Sequence, residues 1–423
     1  MQKKKLIDMD VYFEKLDNGL EVFIIPKNDI NNIYVTYNSK YGGKDNEFVP
    51  LGETKMTKFP DGIAHFLEHK LFEEEDNTNI FGFYSERGAN ANANTSYERT
   101  SYLFYGTECF KENLEMLLHY VENPYFTDEN VEKEKGIIEQ EYYMNEDNPY
   151  SKIFYGTLEN AFVKLPYNKS ILGDVESIRS ITKEDLYKCY NTFYHPSNMF
   201  IVVTGNVDPD EVITIIKDFE EKRDLKNEKK IVRKKYREPD KVRKKEEKIK
   251  MNTSLSKVSL SYKINRNLFK DIDSKMATRL LHHIFDLKVG STSILSENLR
   301  KDEIITSPIS TTVMVTDTHY LVLLLGETKK EKKFIKSLEE SLKDLSITPS
   351  EFERRKRLMI SGLISSTENI FATNDRIIDN ITDYNKPYYN ELELVKKLTM
   401  EDANYVTHNI DLTNKLIYII EPK

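Results

Sequence analysis

The run from His65 to His69 (HFLEH) constrains the fold more than any other segment of the chain. Residues three and four apart are neighbours on an α-helix, so a helix here places His65, Glu68 and His69 on one face. The helix is predicted to begin after Asp61, whose side chain suits an N-cap. Two imidazoles on one face can bind a single metal ion, and zinc accepts neutral imidazole nitrogens. The alternative is a pair of structural histidines on an ordinary amphipathic helix.

A second segment, 131–141, is predicted to be a helix rich in acids and isoleucine. Glu134 and Glu141 are seven residues apart, which is two helical turns, so they share one stripe, whereas Glu139 points to a different face. Considered alone, this acidic pair has a simple alternative as a solvated helix face. The H-x-x-E-H order of the first segment is the inverse of the H-E-x-x-H motif of zinc proteases.

His65 and Glu141 are 76 positions apart, and H-x-x-E-H followed at that spacing by E-x6-E resembles the pitrilysin/insulysin peptidases. These insulinase-like inverzincins include, among their smaller members, the mitochondrial processing peptidase β subunit. The resemblance implies that His65, His69 and Glu141 bind one zinc ion per chain. It also implies that Glu68 is the general base and that Glu134 orients a ligating imidazole without binding the metal itself.

Further segments extend the resemblance, namely Gly62 to Ala64, Gly88 to Ser96 and Phe193 to Met199. The stretches Pro60 to Phe72 and Val131 to Glu141 are closest to the bacterial YmfH-type branch of the family. The resemblance is strong over about the first 220 residues and weaker beyond them.

The resemblance implies an α+β fold made of two related α/β-sandwich domains, each a sheet flanked by helices, that together form half of a clamshell. An internal echo agrees, because Ile181 to Asp185 and Leu398 to Asp402 align without gaps and each precedes an apolar strand. A chain of 423 residues is also long for one core. We expect a zinc-bearing domain at 1–225, a charged linker or boundary at 226–250, and a homologous domain without zinc ligands at 251–423.

Composition limits the partners and the compartment. The net charge of -8 argues against a nucleic-acid partner, and the acids interleaved with the basic residues of 221–250 favour a solvated surface there. Cys109 and Cys189 are the only cysteines, which fits a reducing compartment. Asp8 and Asp10 interrupt any signal-peptide core, and no run of ~18 apolar residues exists. The sequence predicts a soluble cytoplasmic protein that binds neither nucleic acid nor membrane.

Two groups of residues are expected to hold a substrate. The first group consists of alternating small and amide residues beside a predicted strand, Ala91, Asn92, Ala93 and Asn94. The resemblance implies that this edge strand pairs with the main chain of an extended peptide, with Asn92 nearest the scissile bond. The alternative is an ordinary tight loop.

The second group is Arg300, which ends a segment resembling one that contacts substrate in the family. Family members often continue with Gly-Leu-x-Tyr, whereas Lys301 to Ser307 contains no Tyr. Arg300 is therefore either a peptide clamp or part of a surface ion pair. A partner subunit is one source of the missing Tyr.

The function expected from these features is zinc-dependent endopeptidase activity on peptides within an enclosed cleft, with processing or maturation of small peptides as one role. Two alternatives stay open. One is a non-catalytic peptide-binding or assembly subunit, and the other is a zinc hydrolase of non-peptide amides. Half-length family members pair, so we expect a homodimer or a heterodimer with a homologue that lacks zinc ligands.

Overall fold

A computed structural model describes residues 1–223, 225 and 230–423. The first four residues of the predicted linker, 226–229, lie outside the described residues. The strands are β1 (Gln2–Leu6), β2 (Met9–Lys15), β3 (Glu21–Pro26), β4 (Ile33–Ser39), β5 (Glu47–Phe48), β6 (Thr57–Lys58), β7 (Ala89–Thr95), β8 (Thr100–Gly106), β9 (Met199–Gly205), β10 (Glu246–Met251), β11 (Ser256–Asn265), β12 (Ser310–Val315), β13 (His319–Thr328) and β14 (Lys415–Pro422). The α-helices are α1 (Ile63–Lys70), α2 (Ile80–Ser85), α3 (Phe110–Glu122), α4 (Asp128–Asp147), α5 (Pro149–Ala161), α6 (Val175–Ser180), α7 (Lys183–Phe193), α8 (Pro209–Glu220), α9 (Ser274–Val289), α10 (Ile294–Lys301), α11 (Glu331–Leu342), α12 (Pro349–Ser365), α13 (Ile370–Tyr384), α14 (Glu391–Lys397) and α15 (Met400–Asn409).

The described chain forms two compact units, neither of which is continuous in sequence. The first unit contains Met1–Tyr142, Ser170–Lys235 and Gly362–Glu391. The second unit contains Tyr143–Lys169, Tyr236–Ser361 and Leu392–Lys423. Helix α13 thus belongs to the first unit although it lies late in the chain. The domain limits expected from the sequence, 1–225 and 251–423, stay a prediction.

The first unit is built on a seven-stranded sheet with the order β1-β2-β3-β9-β4-β8-β7. Only β3 and β9 are parallel neighbours. Successive side chains of β3 point to opposite faces of the sheet and so belong to two cores. Val22 and Ile24 pack with residues of α1, α3, α7 and α8 on one face. Phe23 and Ile25 pack against α13 on the other. The expected sheet flanked by helices is therefore confirmed.

The second unit repeats this topology around a five-stranded sheet with the order β10-β14-β11-β13-β12, in which only β10 and β14 are parallel. The same order is found for β3-β9-β4-β8-β7. The echo in the sequence marks equivalent elements, because Thr182 with Asp185 and Thr399 with Asp402 form capping boxes that begin α7 and α15. The prediction of two related α/β domains is confirmed. No helix in the described part of the chain is long and apolar enough to cross a membrane.

Part of the charged segment expected to be a linker is held by a buried ion pair in the second unit. Glu238 and Lys263 pair with both side chains fully excluded from solvent. The Lys263 ammonium also donates to the carbonyl of Ala161 at 3.1 Å and of Pro239 at 2.7 Å. The Glu238 carboxylate accepts three main-chain N–H groups from residues 163–165. This arrangement satisfies both charges and fixes the chain that leads into β10.

Removing one member of this pair is expected to destabilise the second unit strongly, because the remaining charge would be buried without its partner. Lys263→Met or Glu238→Gln alone should lower the free energy of unfolding by about 3–5 kcal/mol, measured by urea denaturation. The double variant should lose less than the sum of the two. Lys301→Met, which breaks an exposed pair with Glu297, is the control and should change little. Equal small losses in all variants would contradict this account.

Candidate metal centre

The N-cap residue of α1, the helix that carries both histidines, is Gly62, with φ of 90°. A Cβ atom at Gly62 would lie 2.2 Å from the carbonyl oxygen of Leu172, so only glycine fits. The expectation that Asp61 caps α1 is wrong. The Asp61 carboxylate instead accepts a hydrogen bond from the side-chain amide of Asn46. Close backbone contact, rather than a side-chain cap, therefore sets the start of the helix.

The apolar residues of α1 pack into the first-unit core, and His65, Glu68 and His69 share another face of the helix. Phe66 and Leu67 are fully buried in that core. His65 and Glu68 are also nearly buried, with 7% and 8% of their surfaces exposed, whereas His69 is partly exposed. The helical spacing predicted from the sequence is confirmed.

Helix α4 brings the acidic stripe to this face. Glu134 Oε1 lies 2.8 Å from His69 Nδ1, which is a hydrogen bond. The two Glu141 oxygens lie 3.6 Å from His65 Nε2 and 3.6 Å from His69 Nε2. Glu139 lies on another face, as expected, and forms a two-pronged ion pair with Arg179 at 2.6 and 2.9 Å.

These distances fit a metal ion. His65, His69 and Glu141 each offer one ligand atom, and the three atoms lie within 4.8 Å of one another. Around tetrahedral zinc, with bonds of about 2.0–2.2 Å, neighbouring ligand atoms are roughly 3.3–3.6 Å apart. A separation of 3.6 Å is too long for a hydrogen bond but suits two ligands that share one cation. The residues that the sequence nominated as ligands are therefore brought together.

The two imidazoles differ electrostatically. Burial, with the neighbouring His69 as a smaller cause, lowers the pKa of His65 to about 3, so this ring stays neutral. Burial alone would lower the pKa of His69. The hydrogen bond and charge of Glu134, with the charges of Glu68 and Glu141, instead raise that pKa above 6.5. Since the Glu134 carboxylate accepts from Nδ1–H of His69, Nε2 is the nitrogen left for a metal.

Glu68 is held by a residue that the sequence did not single out. The Thr95 hydroxyl, at the end of β7, donates a hydrogen bond to Glu68 Oε2. Burial raises the pKa of Glu68, whereas the Thr95 bond and the charge of His69 partly oppose this shift. Thr95 lies within the segment from Gly88 to Ser96 that the resemblance marked. Its distinguishing signal is strand alternation, which places it on the same face as Ala91 and Ala93.

Strand β7 is an edge strand of the first sheet. Because the amide of Ser96 bonds the carbonyl of Arg99, alternation directs the main-chain groups of Asn92 towards β8 and those of Ala91 and Ala93 towards the free edge. The Ala93 amide is bonded by Asn92 Oδ1 at 2.9 Å.

The side chains of β7 divide between two faces. Ala91 and Ala93 pack against the first-unit core, whereas Asn92 and Asn94 are exposed on the opposite face. The alanines therefore share the face of Thr95, and the asparagine side chains do not. The substrate-binding roles of all four residues stay predictions.

Arg300 lies on α10 and bonds within its own segment. Its guanidinium donates to the carbonyl oxygens of Ser296 at 3.3 Å and Ser291 at 3.1 Å. Its expected role in clamping a peptide stays a prediction.

Comparison with known proteins agrees with this fold. The sequence model described as insulinase (peptidase family M16) matches residues 48–175, and the model described as the peptidase M16 inactive domain matches residues 180–359. The three candidate ligands, His65, His69 and Glu141, lie within the first of these matches. The chain belongs to the insulinase family of peptidases, family M16.

Individual relatives point the same way. The chain is 46% identical over 260 residues to the uncharacterized zinc protease YmfH of Bacillus subtilis, and the match covers 62% of this chain and 60% of that relative. The crystal structure of an M16-like peptidase from Alicyclobacillus acidocaldarius has 27% identity, covers 99% of both chains and gives a TM-score of 0.92. The periplasmic protease PqqL of Escherichia coli shares the fold, with 16% identity and a TM-score of 0.72. That match covers 100% of this chain but 48% of PqqL.

Metal affinity is expected to depend on a single proton below neutral pH. His69, whose pKa is raised, must lose a proton before it binds a metal, whereas His65 is already neutral. The logarithm of the zinc Kd should therefore rise by about one unit for each unit of pH lost between roughly pH 6 and 5. Titration against a chelator of known affinity measures this slope.

Glu134→Gln is the matched variant, because it removes the main cause of the raised pKa. In this variant the same slope should begin at a lower pH. A slope of two in the unmodified protein would show that His65 also titrates and would contradict the assignment.

Proposed function

We propose that the chain is a zinc-dependent endopeptidase that hydrolyses peptides within an enclosed cleft. The observation that carries this proposal is the placement of Glu141 opposite both Nε2 atoms of His65 and His69, with Glu68 on the same helix. The similarity to proteins described as zinc proteases supports it. Zinc, at one ion per chain, fits a ligand set of two imidazoles and one carboxylate.

A bound zinc ion polarises a carbonyl group and makes a water molecule more acidic. In the proposed reaction Glu68 accepts the proton of that water and passes it to the departing amine. Because Thr95 occupies Oε2, we assign the proton transfer to Oε1. The raised pKa of Glu68 makes its carboxylate a stronger base, and Glu134 keeps His69 in its ligating orientation.

The peptide substrate is proposed to add to the free edge of β7. The main-chain groups of Ala91 and Ala93 face that edge and are the direct pairing partners in this scheme. The Asn92 side chain must release the Ala93 amide before a peptide carbonyl takes its place. Asn94 and Arg300 are proposed as further contacts, and the processing of small peptides is a role compatible with this binding mode.

The active form is proposed to be a homodimer or a heterodimer with a homologous subunit that lacks zinc ligands, in the cytoplasm. The match to PqqL supports pairing. It covers all of this chain but 48% of PqqL, so a PqqL chain is about twice as long as this one. A partner would also provide the tyrosine that does not occur between Lys301 and Ser307.

Glu68→Gln is expected to abolish cleavage without loss of metal. The amide cannot accept the proton, so turnover of a quenched fluorescent peptide library should fall by about 10²–10⁴. Metal content, measured by mass spectrometry, should stay at one zinc per chain, because Glu68 is not a ligand. Glu132→Gln, an exposed substitution on α4, is the control and should cleave normally.

Each outcome identifies a different class of protein. If the unmodified chain binds zinc but cleaves no peptide, alone or with a homologous subunit, it is a peptide-binding or assembly subunit or an amide hydrolase. If Glu68→Gln cleaves as well as the unmodified chain, the general-base assignment is wrong.

A further inference from the structure

A lysine is buried next to the candidate metal centre. Lys70 directly follows His69 at the end of α1, and its side chain is completely excluded from solvent. Its ammonium lies 2.6 Å from a carboxylate oxygen of Glu73 and donates to the main-chain carbonyl of Asn130 at 3.2 Å. The bond to Asn130 matters because it crosses from α1 to the first turn of α4.

The contacts of Lys70 and His69 form one clamp between two helices. Asn130 precedes Glu134 by four residues, which is about one turn of α4. Two consecutive residues of α1 thus bond two successive turns of α4. Glu141 follows two turns later on the same stripe. Because each residue advances an α-helix by about 100°, a slip of one position would turn Glu141 away from both histidines.

The lysine is costly at this position unless its charge is used. Moving an ammonium out of water has a penalty of several kcal/mol, and an unbranched apolar side chain would fill the same space without it. The ammonium lies among acids, because Glu73 contacts it and the charge of Glu134 acts on it. The Lys70 ammonium therefore offsets part of the negative charge of Glu73 and Glu134.

We propose that Lys70 is a positioning residue for the metal centre. Its ammonium fixes the first turn of α4 against the end of α1, so that Glu134 and Glu141 meet His69 and His65 in the ligating arrangement. This inference rests on the proposed function, since it assumes that these side chains bind a metal ion.

Lys70→Met tests the proposal, because methionine keeps an unbranched side chain and removes the charge and the donor. The zinc Kd, measured by competition with a chelator at pH 7.5, should rise about 10–100-fold. The control is Lys135→Met on α4, which removes another lysine paired three residues away, with Glu132 at 2.9 Å. Lys135→Met should leave the zinc Kd unchanged.

Lys70→Gln is a second variant for the case in which Lys70→Met does not fold. Glutamine keeps an N–H donor for the Asn130 carbonyl but not the charge, so its zinc Kd should lie between those of the unmodified protein and Lys70→Met. Hydrogen exchange of the metal-free protein is the companion readout, and it should show faster exchange in residues 128–141 of either variant than in Lys135→Met.

The results separate this inference from the proposed function. If Lys70→Met and Lys70→Gln are less stable but bind zinc with the unmodified Kd, Lys70 is only structural and the proposal is overturned. If the unmodified protein binds zinc and cleaves peptides while these variants match it, the proposed function stands and this inference fails. If the unmodified protein binds no zinc, both fail together.

Discussion

The candidate site depends above all on the hydrogen bond between His69 of α1 and Glu134 of α4, which is 2.8 Å long. This bond matters in three ways. It selects the ring nitrogen that faces Glu141, it raises the pKa of His69 while His65 stays neutral, and, with the bond of Lys70 to Asn130, it joins α4 to α1. The position of Glu141, a candidate ligand, follows from the rotation of α4 about its axis, because two helical turns bring it back to the same face.

The fold supplies the rigid start that this bond needs. Gly62, which precedes α1, and Gly173 both have positive φ. A Cβ atom on Gly62 would lie 2.2 Å from the carbonyl oxygen of Leu172, and one on Gly173 would lie 2.2 Å from that of Asp61. Two backbones that pass this closely cannot slide without clashing, so the first turn of α1 is fixed. The Thr95 hydroxyl, at the end of an edge strand, then holds Glu68 beside the histidines. The sheet thus positions Glu68 through Thr95, the glycine contact positions the start of α1, and the helix pair positions His69 against Glu134.

The sequence predicted much of this arrangement, and the reasons differ by element. His65, Glu68 and His69 were identifiable because helical spacing alone places them on one face. Thr95 and Lys70 were not, because their contacts span 27 and 60 positions of sequence. Strand alternation gives the face on which Thr95 lies but does not specify its partner. Asp61 was mistaken for a cap because a favourable residue type masked the steric demand of Gly62.

The same distinction applies to the architecture. The repeat of Ile181 to Asp185 at Leu398 to Asp402 indicates two related domains, and the matching strand orders of the two sheets confirm this. The sequence does not indicate that α13 belongs to the first unit, because an apolar stripe does not specify the sheet against which it packs. Ile377 and Ile378 in fact meet Phe23 and Val202. An amphipathic pattern states that a face will be buried but does not specify its partner.

Duplication of the fold did not duplicate the site. The second unit has its own histidine pair, His282 and His283 on α9, but among the described residues this pair belongs to no cluster of three possible ligands. Among the described residues, the three-ligand cluster occurs once, at His65, His69 and Glu141. The same sheet order is therefore compatible with a unit that has a three-ligand cluster and with one that has none among the described residues. A cluster of three possible ligands requires two further conditions, namely histidines four residues apart on one helix and an acidic helix packed against it with a carboxylate on the facing side.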